Sequence, residues 1–197
     1  MSSQPVEAYP RLSVRRWVPF VVVVGLFVAT GVASGLAGSL APEPHGHWTG
    51  HLTNATTEIG TLATVAVGTL LAWSHFGHLV VKVLAGAALA AVMVGLVLET
   101  IGNLRVAQSI WRTPYGDEDV AQFGSTFSGF DSGHDLAATG DGLVLLGGLA
   151  FALVLGFSRR VGIAAAVAGV VLSLVPPWMI PALGVVFLLA VLLRPRH

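Results

Sequence analysis

The chain has 197 residues, of which 54% are hydrophobic and only 10% are charged, and its mean hydropathy is +0.80. A soluble domain carries roughly 25% charged residues on its surface, so this composition excludes a soluble globular protein and predicts an integral membrane protein. The formal net charge is +0 and no basic run is present, which argues against a nucleic-acid partner. The absence of cysteine excludes disulfides, thiolate metal sites and cysteine nucleophiles.

The first apolar stretch, residues 17–40, follows Arg15 and Arg16. It is longer than the roughly 7–15 apolar residues of a signal peptide and ends without a clean cleavage site, so we predict a retained membrane span. A span needs about 20 apolar residues to cross the hydrocarbon core. Further spans are predicted at about 59–73, 79–98 and 136–157, and the helix of the third is expected to continue to Trp111.

The last apolar stretch, residues 161–193, contains Pro176, Pro177 and Pro181. One helix of this length would measure about 50 Å, too long for the bilayer without severe tilt, and the prolines would break it. Two spans, about 161–175 and 178–193, fit better. The predicted fold is therefore all-α, a polytopic six-transmembrane-helix bundle. Its parts are a cytoplasmic N-terminal tail 1–16, a membrane domain 17–194, extracytoplasmic loops 41–58 and 103–135, and a cytoplasmic C-terminal tail 195–197.

The basic residues orient these spans. Eight of them fall on the side that holds both termini: Arg11, Arg15, Arg16, Lys82, Arg159, Arg160, Arg194 and Arg196. Only Arg105 and Arg112 fall on the other side, so the positive-inside rule predicts that both termini are cytoplasmic. One lysine against nine arginines, with abundant Ala, Val and Gly, indicates a GC-rich prokaryotic genome. The predicted location is thus a prokaryotic plasma (cell) membrane, with a multi-pass topology.

Three acidic residues fall near the outer ends of predicted spans: Glu58, Glu99 and Asp141. Glu58 and Asp141 lie near helix N-termini, where a negative charge is favoured by about 0.3–1 kcal/mol. Glu99 lies near a helix C-terminus and needs a partner, which is Arg105, Arg112, a histidine, a proton or a cation. Ionisable groups inside spans are functional candidates, so Glu99 and Asp141 are predicted to couple to an ion or proton.

The segment "PHGHWTGH" places His45, His47 and His51 in the predicted loop that runs into Glu58. Without cysteine, a metal there would have nitrogen and oxygen ligands, which favours zinc, nickel, cobalt, manganese or copper(II). Two alternatives remain open: hydrogen-bonded histidines at a membrane surface, and a pH-responsive role.

The segment "DSGHDLAATGD", residues 131–141, adds candidate ligands to the same side. Ser132 and Asp135 resemble a capping box, which predicts that a helix begins there. On that helix Asp131, His134 and Asp141 share one face. This stripe suits metal binding or proton transfer, and equally a polar cap on a helix.

Small residues predict close packing between helices. "GVASG", Gly31 to Gly35, is a small-xxx-small pattern on the first span, and Gly147 and Gly148 lie on the fourth. Such residues let membrane helices approach closely in a compact bundle.

These patterns favour a membrane protein whose outer histidine–carboxylate cluster binds or helps to move a cation, either a divalent metal or a proton. The alternative is a non-catalytic subunit or assembly factor of a larger membrane complex. A metal-dependent membrane enzyme is a further alternative, less favoured than a non-enzymatic role. The inner halves of the spans hold almost no ionisable residue besides Lys82, so the expected partners are the lipid bilayer and other membrane subunits or further copies of the chain.

Overall fold

The computed structural model describes residues 14–40, 46–111, 129–174 and 180–196, with side chains for all of these except 40, 46–49 and 180. Within these residues the chain is all-helical and contains no strand. It forms six α-helices, and a short 3-10 helix, Trp73–His75, lies between the second and the third. They are α1 (Val14–Leu40), α2 (Gly46–Ala72), α3 (Leu79–Trp111), α4 (Phe130–Phe157), α5 (Ile163–Leu174) and α6 (Ile180–Leu193).

Four of these helices, α1 to α4, are long and apolar enough to cross a membrane. The other two, α5 and α6, are apolar but shorter. The 12 residues of α5 extend about 18 Å, against a hydrocarbon core of about 30 Å. The predicted proline break between the last two spans, residues 176–177, lies outside the described residues.

The outside of the bundle is apolar and parts of its interior are polar. Exposed side chains include Val28 on α1, Leu70 on α2, Val80 on α3 and Leu146 on α4. The buried polar side chains include Glu58, Thr64, Glu99, Thr100 and Asn103. An apolar exterior around a polar interior is the arrangement expected of helices that face lipid.

Helices α3 and α4 make the most extensive contact in the bundle, through two rows of glycines that we call the glycine seam. Gly95 and Gly102 on α3 face Gly140 and Gly133 on α4, and within each row the spacing is seven residues. One step further along the α4 row, Gly147 packs against the backbone of Ala88 and Val92 on α3. A Cβ atom added at Gly140 would lie 2.6 Å from the carbonyl oxygen of Gly95. Because the two backbones touch, no side chain larger than hydrogen fits at these positions.

The small-residue pattern predicted on α1 does not pack in this way. A Cβ atom added at Gly31 or Gly35 meets no atom of the described residues within 4 Å. Gly38, one turn later, does face a neighbour, since its added Cβ would lie 3.2 Å from Oγ1 of Thr53 on α2. The two glycines of "GVASG" therefore do not bring helices together, although its Ser34 is buried and hydrogen-bonds to Thr57 on α2. Backbone contact occurs instead at the glycine seam and where Gly184 on α6 meets Gly169 on α5.

Two predicted boundaries differ from the structure. Residues 46–58, predicted as loop, form the first turns of α2. Helix α4 begins at Phe130 rather than at the predicted capping box, and its N-cap is Gly129 with φ of 90°, a left-handed conformation that glycine adopts without strain. The Ser132 hydroxyl donates to the Gly129 carbonyl oxygen (3.2 Å), so it does not cap the helix as predicted. Helix α3 does extend to Trp111, as the sequence predicts.

These boundaries change the environment of the acidic residues. Glu58 lies 12 residues after Gly46, the start of α2, and Asp141 lies 11 residues after the start of α4. Glu99 lies 12 residues before the end of α3. The helix dipole acts only within the first or last turn, so it neither favours Glu58 and Asp141 nor opposes Glu99, contrary to the expectation from the sequence.

Candidate functional site

Three acidic side chains from three helices form what we call the carboxyl cluster: Glu58 of α2, Glu99 of α3 and Asp141 of α4. Glu58 and Glu99 are each only 3% exposed, and Asp141 is half-buried. Glu99 lies within hydrogen-bonding reach of Asp141 and close enough to Glu58 for their charges to interact. The bundle thus brings together the three acidic residues that the sequence places near the same membrane edge.

The glycine seam explains why Glu99 meets Asp141. Glu99 lies between Gly95 and Gly102 on α3, and Asp141 directly follows Gly140 on α4. A Cβ atom at Gly140 would lie 2.7 Å from Cγ of Glu99. Since α4 has no side chain at this position, the Glu99 carboxyl group extends across the α4 backbone to reach Asp141.

Glu58 is held by a chain of hydrogen bonds. The Asn103 side-chain amide donates from Nδ2 to Oε1 of Glu58 (2.6 Å), and its Oδ1 lies 2.7 Å from Nδ1 of His51. An amide oxygen only accepts hydrogen bonds, so the proton of this second bond lies on Nδ1 of His51. His51 and Glu58 are two turns apart on one face of α2, and Asn103 of α3 bridges them.

Two oxygens of the carboxyl cluster have no hydrogen-bond partner in the described part of the chain. Oε2 of Glu58 and Oε1 of Glu99 are buried and make no hydrogen bond within the described residues. The charged groups that act on Glu99 there, Asp141 and Glu58, are both acidic. Burying an ionised carboxylate without a partner costs many kcal/mol, so such a group takes up a proton or binds a cation.

Of the partners predicted for Glu99, neither arginine supplies the missing charge in the described part of the chain. Arg105 is exposed and forms no ion pair with Glu99 there, and Arg112 lies outside the described residues. Arg112 is therefore untested, and the other predicted alternatives that remain are a histidine, a proton and a cation.

A pair of histidines lies beside the hydrogen-bonded chain. The ring centroid of His134 on α4 is 5.6 Å from that of His51, and the two rings meet edge to face. His134 also contacts Phe130, at a centroid distance of 4.6 Å. His134 is exposed, as is Asp131, so the predicted stripe on α4 runs from exposed Asp131 and His134 to half-buried Asp141.

The predicted metal site is only partly described. His45 and the side chain of His47 lie outside the described residues. Among the residues that are described, including His51, Glu58 and Asp141, no group of three or more histidine, aspartate or glutamate side chains is arranged to hold a metal ion.

Sequence reasoning missed Asn103, the residue that connects His51 to Glu58. A signal was available, because Asn103 follows Glu99 by four residues and therefore lies on the same face of α3. The predicted membrane span ended near Leu98, so Asn103, although on the expected extension of the helix to Trp111, was assigned to the extracytoplasmic segment 103–135 and not considered with Glu99.

Comparison of the chain with protein families, curated proteins and solved structures finds no match. The carboxyl cluster is therefore interpreted from its own chemistry. It has two buried glutamates, each with one oxygen that lacks a partner among the residues described, and a half-buried aspartate. A histidine–asparagine chain reaches from Glu58 towards an exposed histidine.

Proposed function

We propose that this chain is an integral membrane protein that binds a cation, foremost a proton, at the carboxyl cluster. It crosses a prokaryotic plasma membrane six times, with both termini in the cytoplasm. The six apolar helices support this topology, four of them long enough to span and two shorter. The arginines support the orientation, since Arg15, Arg16, Arg160, Arg194 and Arg196 all surround one cavity at one end of the bundle.

The positions of the three acidic residues support a site on the outer side of the membrane. Glu99 lies 20 residues from Leu79, the start of α3 at the arginine-rich end, which corresponds to about 30 Å along the helix. Glu58 and Asp141 lie 14 and 16 residues from the ends of their helices on that side, about 21 and 24 Å. With a hydrocarbon core of about 30 Å, the carboxyl cluster lies in its outer third.

The observation that carries the proposal is that one buried oxygen each of Glu58 and Glu99 has no hydrogen-bond partner among the described residues, where the neighbouring charges are acidic. A proton needs one carboxyl oxygen, whereas zinc takes four ligands and calcium six to eight. Since no such ligand group occurs among the described residues, the geometry favours a proton over a divalent metal.

Infrared difference spectroscopy of the reconstituted full chain tests the proposal. A pH titration should show the carbonyl band of a protonated carboxyl group, and Glu99→Gln should remove or shift that band. The matched control is Asp135→Asn on α4, because Asp135 is exposed and should leave the band unchanged. A chain without any protonated-carboxyl band across the titration contradicts the proposal, as does a stoichiometric metal that is lost in Glu58→Gln.

A second candidate is a non-catalytic subunit or assembly factor of a larger membrane complex. The observation that favours it is the scarcity of ionisable side chains in the inner part of the spans. Between the carboxyl cluster and the arginine-rich end, α2 to α4 contain one ionisable side chain, Lys82. A proton bound at the cluster therefore has no titratable path through the described part of this chain. Co-purification of other subunits in stoichiometric amounts would support this candidate, and its proton site would then work with groups on the partner.

A metal-dependent membrane enzyme would need His45 and His47 as ligands, and these side chains lie outside the described residues. Metal analysis of a His45/His47/His51 triple alanine variant addresses it directly. Zinc, nickel, cobalt, manganese or copper bound by the unmodified chain and lost in the variant would support it.

A further inference from the structure

A second site lies at the opposite end of the bundle from the carboxyl cluster. Here a cavity of about 450 Å³, which we call the arginine cavity, is lined by His75 and five arginines. The arginines are Arg15, Arg16, Arg160, Arg194 and Arg196. They come from three separate segments: the start of α1, the turn after α4, and the residues that follow α6.

Contacts with the backbone hold two of these arginines, Arg160 and Arg196. Arg196 donates from Nη2 to the carbonyl oxygen of Arg160 at 2.7 Å, which ties the segment after α6 to the turn between α4 and α5. The Arg160 guanidinium group covers Gly77, where any added Cβ atom would collide with it. Arg160 and Arg196 are thus tied to each other through the Arg160 carbonyl group, and all five arginines are exposed side chains at this end of the bundle.

The arginine cavity has no acidic counterpart within the described residues. The acidic residues there are Glu58, Glu99, Asp131, Asp135 and Asp141, which all lie in the outer halves of α2 to α4 or at their outer ends. Five exposed positive charges around one cavity, with no acidic side chain among the described residues beside them, create a local positive potential that attracts an anion. Arginine is the side chain best suited to phosphate, because its planar fork donates two parallel hydrogen bonds.

An apolar groove adjoins the cavity. It has a volume of about 580 Å³ and runs between α1 and α6, where its lining includes Trp17, Phe20, Val24 and Phe27. Arg194 lines both the groove and the arginine cavity. A cationic cavity and an apolar groove that share one residue are complementary to the two parts of an anionic phospholipid, its phosphate headgroup and an acyl chain.

We propose that the arginine cavity and this groove together bind one anionic phospholipid, with its phosphate against the guanidinium groups and one acyl chain between α1 and α6. The positive-inside rule accounts for arginines on this side of the membrane but not for their convergence around one cavity. Basic pockets between helices on the cytoplasmic side are a known type of site for anionic headgroups. Free inorganic phosphate has the same chemistry as the headgroup and could bind the guanidinium groups, but it would not occupy the groove.

Native mass spectrometry of the delipidated full chain in detergent tests the site. Dioleoyl phosphatidylglycerol should bind more tightly than dioleoyl phosphatidylcholine, and the R16Q/R160Q/R194Q variant should bind the anionic lipid about a hundredfold more weakly. Binding of the zwitterionic lipid should not change. The control is R105Q, which removes an exposed arginine at the other end of the bundle and should have no effect. Measurement in detergent makes the result independent of the direction of insertion.

The groove is tested separately by its own pair of variants. Val24→Trp fills the groove and should weaken binding of the dioleoyl lipid, whereas Val28→Trp, one turn further along α1 and outside the groove, should not. If the triple arginine variant fails to fold, R194Q alone should weaken binding about fivefold. Two results overturn the proposal: equal binding of both lipids by the unmodified chain, or displacement of the anionic lipid by inorganic phosphate with no effect of Val24→Trp.

Discussion

The Glu99 side chain packs directly on the backbone of Gly140, so that a Cβ atom at Gly140 would lie 2.7 Å from both Cγ and the backbone nitrogen of Glu99. This contact joins the two main features of the molecule, the glycine seam and the carboxyl cluster. The absence of a side chain on α4 is what allows the carboxyl group on α3 to approach Asp141. Substitutions at Gly140 and Glu99 therefore test both the chemistry of the carboxyl cluster and the packing of α3 against α4.

Gly140→Ala should destabilise the protein and disturb the carboxyl cluster. The added methyl group would collide with the carbonyl oxygen of Gly95 and with Glu99, and overpacking of this kind costs about 1–3 kcal/mol. Thermal unfolding in detergent measures the loss. Gly142→Ala is the control, because a Cβ atom at Gly142 meets nothing within 4 Å among the described residues. Equal stability of the two variants would show that α3 and α4 are not in backbone contact.

Asn103→Leu should cost about 1–3 kcal/mol of folding free energy, because it leaves Oε1 of Glu58 and Nδ1 of His51 without their observed partner. Adding Glu58→Leu should recover part of this loss, since removing both partners of a buried hydrogen bond is far less costly than removing one. Denaturation of the two single variants and the double variant gives the coupling energy. Strict additivity would mean that Asn103 and Glu58 do not interact.

Stability should fall as the pH rises above about 5, because the carboxyl groups of the unfolded chain ionise at about pH 4 whereas ionising the buried cluster is unfavourable, and Glu99→Gln should reduce that dependence. Ionisation of the carboxyl cluster places negative charges close together in a buried site, where no basic group of the described residues offsets them. Glutamine keeps the size of the side chain and cannot ionise. The measurement is the unfolding temperature from pH 5 to pH 9 for both proteins, with Asp135→Asn as the exposed control. If the protein is instead less stable at low pH, the pH dependence of stability has the opposite sign to the one expected, and the buried-cluster explanation is refuted.

The topology can be tested by single-cysteine labelling, because the natural chain has no cysteine. An impermeant maleimide applied to intact cells should label Ser132→Cys and leave Ser74→Cys unlabelled until the cells are opened. Both residues are exposed and lie at opposite ends of the bundle. Pro177→Cys, which lies outside the described residues, tests the six-span count, since labelling from outside requires that α5 and α6 both cross.

The apolar pattern alone was enough to predict an all-helical chain, because runs of about 20 apolar residues leave few alternatives. It did not predict the start of α2, since residues 46–58 read as a polar loop. Those residues are helical because they pack against neighbours: Ala55 is buried, Thr53 faces Gly38, and His51 bonds to Asn103. Tertiary contacts of this kind stabilise helices that composition does not favour.

The spacing of the glycines in the glycine seam is visible in the sequence, but the contact between α3 and α4 was not predicted from it. Gly95 and Gly102, like Gly133 and Gly140, are seven residues apart, a spacing that keeps them on one helix face. Which face meets which helix is a property of the folded bundle, as the open surface around Gly31 shows. The meeting of Glu99 with Asp141 depends on that pairing, so it follows from the structure rather than from either helix alone.

The depth of the carboxyl cluster gives the proposed topology a physical consequence for the surrounding lipid. Helix α3 has 33 residues and extends about 50 Å, so it exceeds the hydrocarbon thickness by about 20 Å, and Glu99 lies close to the level where acyl chains end and headgroups begin. A bilayer a few ångströms thicker would place hydrocarbon around the helices at the level of the buried Glu99, and a thinner one would bring that level, with half-buried Asp141, among hydrated headgroups. Membrane thickness, set by acyl-chain length, would then control how readily the cluster gives up its proton.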